Sequence, residues 1–203
     1  MDEIVKRVSG TASMTVTKVE PNDIHYHDSY RYDGVTGGEG EGDSEHRDYG
    51  KLVCVKDKCE TPTDGSGTFL NPLLWGTPPA AIRTGVMWTV HIDRAWELGP
   101  SGDQTITVIS ADPSTGTIVL KREGSGEGFF DSDAKQLHIT REGKSFQVDL
   151  APARAHWIGQ TIFRHGVVLA DELVVERPVT LTSADAGKIN AMERQYILLN
   201  AAP

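Results

Sequence analysis

Apolar and polar residues alternate along much of this 203-residue chain, and a period of two is typical of half-buried β-strands. The clearest run places apolar side chains at every second position, at Val86, Trp88, Val90 and Ile92. Twenty-one glycines and ten prolines separate such runs and mark turns. No repeat of fixed period is visible, which argues against a propeller or solenoid. The pattern predicts an all-β fold, a curved antiparallel sheet that forms a barrel, a half-barrel or a sandwich.

One β-hairpin can be predicted almost residue by residue within 136–150. Its turn is expected at Glu142–Gly143, because glycine suits the backbone of a tight turn. The predicted cross-strand pairs are Ile139 with Phe146 and Leu137 with Val148. Both pairs lie on one face, so they are expected to point together into a core.

The C-terminal part of the chain contains two features that differ from regular strands. Pro178 lies between two apolar runs and predicts an edge strand or a break. One short helix is expected after Thr182 or Ser183, which can cap it, with Asp185 in the first turn. Apolar residues recur at helical spacing at Ile189, Met192 and Tyr196.

Residues 1–203 are expected to form a single β-rich domain with two long irregular segments. An acidic, glycine-rich loop is predicted at 33–50. An apolar, proline-rich loop is predicted at 60–79. Loops with this many apolar residues usually pack against something, so the second is interpreted as a lid or a packed connection.

The charge of the chain argues against several classes of partner. A net charge of −9 at pH 7 disfavours nucleic acid, whose binding depends on clustered lysine and arginine. The same charge would repel an anionic membrane surface. No apolar run approaches 18 residues, so no transmembrane segment is expected.

The only two cysteines, Cys54 and Cys59, lie in a segment with the pattern of a tight hairpin. With Lys56–Asp57 as a two-residue turn, the two cysteines face each other at a separation that suits a disulfide. Two free thiols, or a pair with metal or redox chemistry, are the alternatives. A disulfide predicts an oxidising compartment, periplasmic or extracellular, with a signal peptide removed before Met1. Because the N-terminal residues lack an apolar signal, a cytosolic location is the alternative.

His25 and His27 form a candidate transition-metal pair. Side chains two positions apart on a strand point to the same face, so both imidazoles can reach one ion. Further ligands would have to come from elsewhere, and Glu45, His46 and Asp48 are near in sequence. The simpler interpretation is a solvated strand face.

A calcium site is a second candidate, in the acidic segment. Carboxylate oxygens are the ligands that Ca²⁺ prefers. The candidate ligands are Asp33, Glu39, Glu41, Asp43 and Asp48. Flexible acidic loops that bind nothing are the simpler interpretation, and no resident cofactor is expected.

No catalytic residue is predicted, because the nucleophile elbow, the His-Glu-x-x-His motif and the P-loop are all missing. The leading hypothesis is a non-catalytic exported binding domain whose partner is a small apolar ligand such as a lipid, a glycan or a protein. The candidate binding residues are Phe69, Leu73, Leu74, Trp75 and Trp96. A metal-dependent enzyme that uses His25 and His27 is the first alternative, and a structural or assembly protein is the second. The oligomeric state is not predicted.

Overall fold

The computed structural model describes residues 7–34, 37–47, 52–56, 58–60, 72–96, 98–130, 133–141, 143–165, 167–184 and 187–201. The all-β prediction is confirmed: these residues form antiparallel strands and one short helix. None of the helical structure in these ranges has the length and apolar character needed to cross a membrane. The chain divides into two compact units, Met1–Pro62 and Thr63–Pro203. The two units are defined by the contacts within each of them, which does not test whether the chain folds as one domain. The prediction of a single domain therefore stays a prediction.

The first unit is a five-stranded sheet in which every strand pairs with the next one along the chain. Its strands are β1 (Ser9–Val19), β2 (Ile24–Asp33), β3 (Glu39–Arg47), β4 (Leu52–Val55) and β5 (Lys58–Glu60). Cys54 faces Cys59 across the β4–β5 hairpin. The predicted disulfide joins them, with an S–S distance of 2.05 Å.

The second unit begins with a four-residue helix, α1 (Pro72–Trp75), and continues as an eight-stranded sheet. Its strands are β6 (Met87–Ile92), β7 (Gly102–Asp112), β8 (Thr117–Gly126), β9 (Gln136–Arg141), β10 (Lys144–Pro152), β11 (Ala155–Arg164), β12 (Val167–Ser183) and β13 (Gly187–Asn200). They are ordered β6-β7-β8-β11-β12-β10-β9, and β13 pairs with the other edge of β12. In the described strands the order does not return to its start, so the sheet is open rather than closed.

The predicted acidic loop at 33–50 is wrong over its central part, because Glu39–Arg47 forms strand β3. The segment alternates acidic residues with glycine or serine, and this alternation has the period of a strand. One face carries the acidic residues Glu39, Glu41, Asp43 and Glu45. On the other face, Gly40 makes room for Tyr30, since a Cβ at this position would lie 2.8 Å from the tyrosine hydroxyl.

The predicted C-terminal helix is also wrong, because Thr182 and Ser183 end strand β12 and Gly187–Asn200 forms strand β13, while Asp185 lies outside the described residues. Gly187 has a φ of +71°, a left-handed conformation that glycine adopts readily, and it faces Ser183 at the start of the hairpin. The helical spacing of the apolar residues is therefore coincidental. Met192 and Tyr196 share one face of the strand, whereas Ile189 lies on the other.

The predicted hairpin is confirmed in β9 and β10, where Ile139 faces Phe146 and Leu137 faces Val148. The edge strand or break predicted at Pro178 is wrong, because β12 is continuous through this residue and has partner strands on both sides. Strand β12 runs through Pro178, while on one side its partner changes from β11 to β10. The carbonyl of Pro178 faces that side and accepts from Ala153. Proline has no backbone N–H to donate, and Pro178 lies where β12 has left β11 and not yet paired with β10. No hydrogen bond between strands is therefore lost at this position.

The core of the second unit lies on one face of the sheet and is covered by α1 and by the segment before β7. Aromatic rings dominate it: Trp75 meets Phe163 edge-on at 5.6 Å between centroids, and Trp96 meets Trp157 in the same way at 5.7 Å. Trp75, Trp96 and Trp157 are each no more than 1% exposed. The buried rings hold the irregular segments against the sheet.

Candidate functional site

The described residues of the predicted ligand-binding set lie in the core. Leu74, Trp75 and Trp96 are 2%, 1% and 0% exposed. Phe69 and the side chain of Leu73 fall outside the part of the chain that the structure describes. Leu74, Trp75 and Trp96 are therefore not exposed to a ligand in this structure.

Polar groups of β6 and β7 explain why α1 is buried. Nε1 of Trp88 donates to the carbonyl of Trp75 at 2.8 Å. Nε2 of Gln104 donates to the carbonyl of Leu74 at 2.6 Å, and its Oε1 accepts from Nε1 of Trp157. Two side chains thus donate to backbone carbonyls at the end of α1 that have no partner within the helix. With these carbonyls hydrogen-bonded, the apolar segment that contains α1 can be buried in the core.

A buried ion pair joins β8 to β12. Nη2 of Arg122 donates to Oδ2 of Asp171 at 2.7 Å, and the hydroxyl of Thr161 donates to Oδ1 of Asp171 at 2.5 Å. The guanidinium also lies over the ring of Trp75, 5.4 Å from its centroid. Burial lowers the pKa of Arg122, and the carboxylate of Asp171 opposes this effect. These contacts are all within the protein core, so the cluster links β8, β11 and β12 to one another rather than facing a ligand.

A second cationic cluster fixes the start of the β9–β10 hairpin to β12. Arg177 donates two hydrogen bonds to Asp133, at 2.6 and 3.0 Å, and is also bonded to Glu193 of β13. Its guanidinium stacks on Phe130 with 3.6 Å between the charge centre and the ring centroid. Such a bidentate, stacked arrangement is specific to arginine, and it positions backbone rather than substrate.

The predicted calcium ligands form a row along β3 rather than a ring. Glu39, Glu41 and Asp43 lie on one face at every second position, a spacing of about 7 Å. Asp33 lies at the end of β2, and Asp48 is outside the described residues. The calcium site stays a prediction.

His25 and His27 do share a face of β2, as the sequence predicts, but each has its own acidic neighbours. Nδ1 of His27 lies 2.9 Å from Asp43, and this hydrogen bond raises the pKa of the imidazole. Nε2 of His25 lies 3.0 Å from Oε2 of Glu20 and 3.7 Å from Oε1 of Glu45.

Sequence reasoning named Glu45 as a possible further ligand but missed Glu20. Glu20 begins the turn between β1 and β2, closed by hydrogen bonds between its backbone and that of Asp23. The Pro21-Asn22-Asp23 sequence is the local signal that could have revealed this turn.

The outer face of β11, β12 and β13 carries exposed apolar side chains. Ile158, Val174 and Tyr196 face one another across the three strands. Ile158 is 46% exposed and Tyr196 58% exposed. Met192 and Leu198, on the same face of β13, are 59% and 52% exposed.

Strand β13 is also an open edge, since among the described strands it pairs only with β12. The backbone N–H of Ala201 donates to the carbonyl of Leu169, which continues the β12–β13 register. Bonded and non-bonded pairs alternate in an antiparallel ladder. The even-numbered residues of β13 therefore direct their N–H and C=O groups away from β12. Sequence reasoning missed this edge because it interpreted the segment as far as Tyr196 as a helix.

Comparison with known proteins adds no function to this geometry. No family model matches the chain, and neither a curated protein nor a solved structure matches it.

Proposed function

We propose that this chain is a non-catalytic structural protein that assembles with a second copy of itself by pairing the two β13 strands. The observation that carries the proposal is the open edge of β13, 14 residues long, with exposed apolar side chains along it. Antiparallel pairing about a two-fold axis would join the two sheets and cover both edges at once.

An unprotected edge of this length favours pairing with another strand. Soluble proteins usually block such edges with proline, charge, a bulge or a short strand. No proline interrupts β13, and its β12 register has no shift. Arg194 is already paired with Glu176, so its charge offers little protection. Within the described part of the chain, the outward backbone groups of the strand face no other strand and are thus available to a partner.

The side-chain pattern of β13 is complementary to itself in one antiparallel register. With Gln195 on the two-fold axis, even-numbered residues meet even-numbered residues, as their outward backbone groups require. The resulting side-chain pairs are Met192 with Leu198, Arg194 with Tyr196, and Asn190 with Asn200. They are an apolar pair, a cation–π pair and an amide pair, each of which stabilises neighbouring strands. The two-fold axis would repeat every pair.

The proposal includes an oxidising location, periplasmic or extracellular. Its support is the Cys54–Cys59 disulfide, since such bonds persist mainly in those compartments. The described residues of the binding set that the sequence suggested for a lipid or glycan are buried, so a protein partner is preferred here to a small ligand.

The mass of the purified chain in solution, measured by light scattering during size exclusion, tests the assembly. We expect twice the monomer mass for the wild type. Met192→Lys places a charge opposite Leu198 of the second copy and should give a monomer. Met87→Lys is the matched control, because Met87 is 60% exposed and lies on β6 at the other side of the sheet.

Leu198→Pro gives an independent test, because it removes an N–H that points away from β12. This variant should also be a monomer and should keep the circular dichroism of the wild type. A monomeric wild type at high micromolar concentration would contradict the proposal. A dimer that Met87→Lys dissociates while Met192→Lys does not would also contradict it.

A further inference from the structure

The geometry points to a zinc site in the first unit, formed by Glu20, His25 and Glu45. These three side chains offer one nitrogen and two oxygen atoms, all within 4.8 Å of one another. One imidazole and two carboxylates form a ligand set that zinc accepts. The three ligands belong to the first unit and β13 to the second, so none of the ligands is part of the strand proposed for assembly.

The two separations measured from the imidazole nitrogen are close to those around a tetrahedral ion. Two ligands about 2.1 Å from zinc, at a tetrahedral angle, lie about 3.4 Å apart. Nε2 of His25 is 3.0 Å from Oε2 of Glu20 and 3.7 Å from Oε1 of Glu45. These two distances lie on either side of the ideal one, and the two carboxylate ligand atoms lie within 4.8 Å of each other.

A hydrogen bond from His25 uses only one of the two carboxylates that face its ring nitrogen. The N–H at Nε2 of His25 can donate to Glu20, but Glu45 at 3.7 Å lies beyond hydrogen-bonding distance. Two carboxylates nevertheless face one ring nitrogen. A cation between the three groups would use both carboxylate oxygens, which a single proton does not.

Two cations orient the carboxylates from behind. Nζ of Lys18 lies 2.8 Å from Oε1 of Glu20, the oxygen that faces away from the imidazole. Nη2 of Arg47 lies 2.7 Å from Oε2 of Glu45, again the remote oxygen. Each carboxylate therefore has one oxygen held by a cation and the other directed at His25. Bonded outer partners of this kind fix metal ligands in place.

The same cations keep the carboxylates ionised. The hydrogen bond from Lys18 lowers the pKa of Glu20, and the hydrogen bond from Arg47 lowers the pKa of Glu45. Lys18 and Arg47 also offset the two negative charges, so we expect modest affinity for zinc. The side chains of Glu20 and His25 are 40% and 28% exposed, which leaves a fourth position to water.

The order of the strands brings the three ligands together. Lys18 faces His25 across β1 and β2, and His25 faces Glu45 across β2 and β3. A register shift in β1 between Val16 and Lys18 creates the first of these pairings. Glu20, at the start of the following turn, then reaches back to the imidazole.

Calorimetric titration of the full chain with Zn²⁺, after treatment with a chelator and dialysis, tests the site. We expect one zinc ion per chain. His25→Ala and Glu45→Gln should each weaken binding by at least about tenfold, the lower end of the effect seen for outer partners alone. Titration with Co²⁺ should give the visible absorption of a tetrahedral ion in the wild type and not in these variants.

Two control variants separate this site from other histidine–carboxylate pairs. Nδ1 of His91 lies 2.8 Å from Asp103, and His27 lies near Asp43; neither pair belongs to a three-ligand group among the described residues. His91→Ala and His27→Ala should therefore bind zinc as the wild type does.

Three results would overturn the inference: no zinc binding by the wild type, unchanged binding by His25→Ala, or an equal loss in His27→Ala. The last would favour the His25–His27 pair suggested by the sequence. Glu45→Gln preserves the shape of the side chain, so it keeps the test valid if His25→Ala fails to fold.

Discussion

Arg122 donates to Asp171 across the width of β11, and each side chain is only 1% exposed. Gly159 of β11 faces Arg122, and a Cβ there would lie 3.3 Å from the guanidinium Nε. The absence of a side chain at this position lets the arginine lie over the strand. The pair is thus built into the sheet, and removing one partner would leave a buried charge.

Asp171→Ala is predicted to destabilise the second unit by about 3–5 kcal/mol, because Arg122 would remain buried without its carboxylate. Urea unfolding followed by tryptophan fluorescence measures this, since all four tryptophans lie in Thr63–Pro203. Glu123→Ala is the control: it removes an exposed partner of Lys121 and should cost less than about 1 kcal/mol. An equal effect of the two substitutions would show that the buried pair contributes nothing special.

Gln104→Leu is predicted to destabilise the same unit, because two buried partners lose their hydrogen bonds. The indole N–H of Trp157 and the carbonyl of Leu74 would each be left without this partner. The cost is about 1–3 kcal/mol for each group. Gln160→Leu makes the same replacement at an exposed position of β11 and should leave the urea midpoint nearly unchanged.

Glycines 40 and 42 of β3 are predicted to respond differently to alanine. A Cβ at Gly40 would meet the Tyr30 ring, whereas a Cβ at Gly42 meets nothing within 4 Å. Gly42→Ala should stabilise the first unit by about 0.5–1 kcal/mol, through the lower entropy of the unfolded chain. Gly40→Ala should lose this gain because Tyr30 must move. Hydrogen exchange of the β2 and β3 amides compares the two; slower exchange in Gly40→Ala than in Gly42→Ala would contradict the prediction.

Replacement of both Cys54 and Cys59 by serine is predicted to cost about 2 kcal/mol in the first unit, the chain-entropy value for so short a loop. Because the bridge lies within the β4–β5 hairpin, faster amide exchange should appear first in those strands. The tryptophan unfolding curve of the second unit should not change. A shift of that curve would show that the bridge stabilises more than its own hairpin.

Local patterns predicted the features that depend on neighbouring residues. Gly143 fixes the turn of β9 and β10, and the register of the hairpin follows from it. The facing cysteines were predicted in the same way. The acidic, glycine-rich composition of β3 favoured a loop, although its residues alternate with a period of two. Met192 and Tyr196 are four residues apart, a spacing that fits one face of a helix as well as one face of a strand.

Features that depend on distant packing could not be predicted in this way. Trp75 and Trp96 are in segments whose sequences resemble surface loops. The burial of Trp75 depends on hydrogen bonds that distant strands donate to α1. The burial of Trp96 depends on its contact with the ring of Trp157. The candidate zinc site needs the register shift between Val16 and Lys18, for which the sequence gives no local signal.

The ends of β8 and β11 are neighbours: Gly126 faces Ala155, although the β9–β10 hairpin lies between them in sequence. Without that hairpin, strands β6, β7, β8, β11, β12 and β13 would each pair with the next one along the chain. The hairpin thus has the form of an insertion into a simple meander, entering and leaving at adjacent points. The change of partner strand beside Pro178 marks where the hairpin meets the meander, and Arg177 links the two through its ion pair with Asp133.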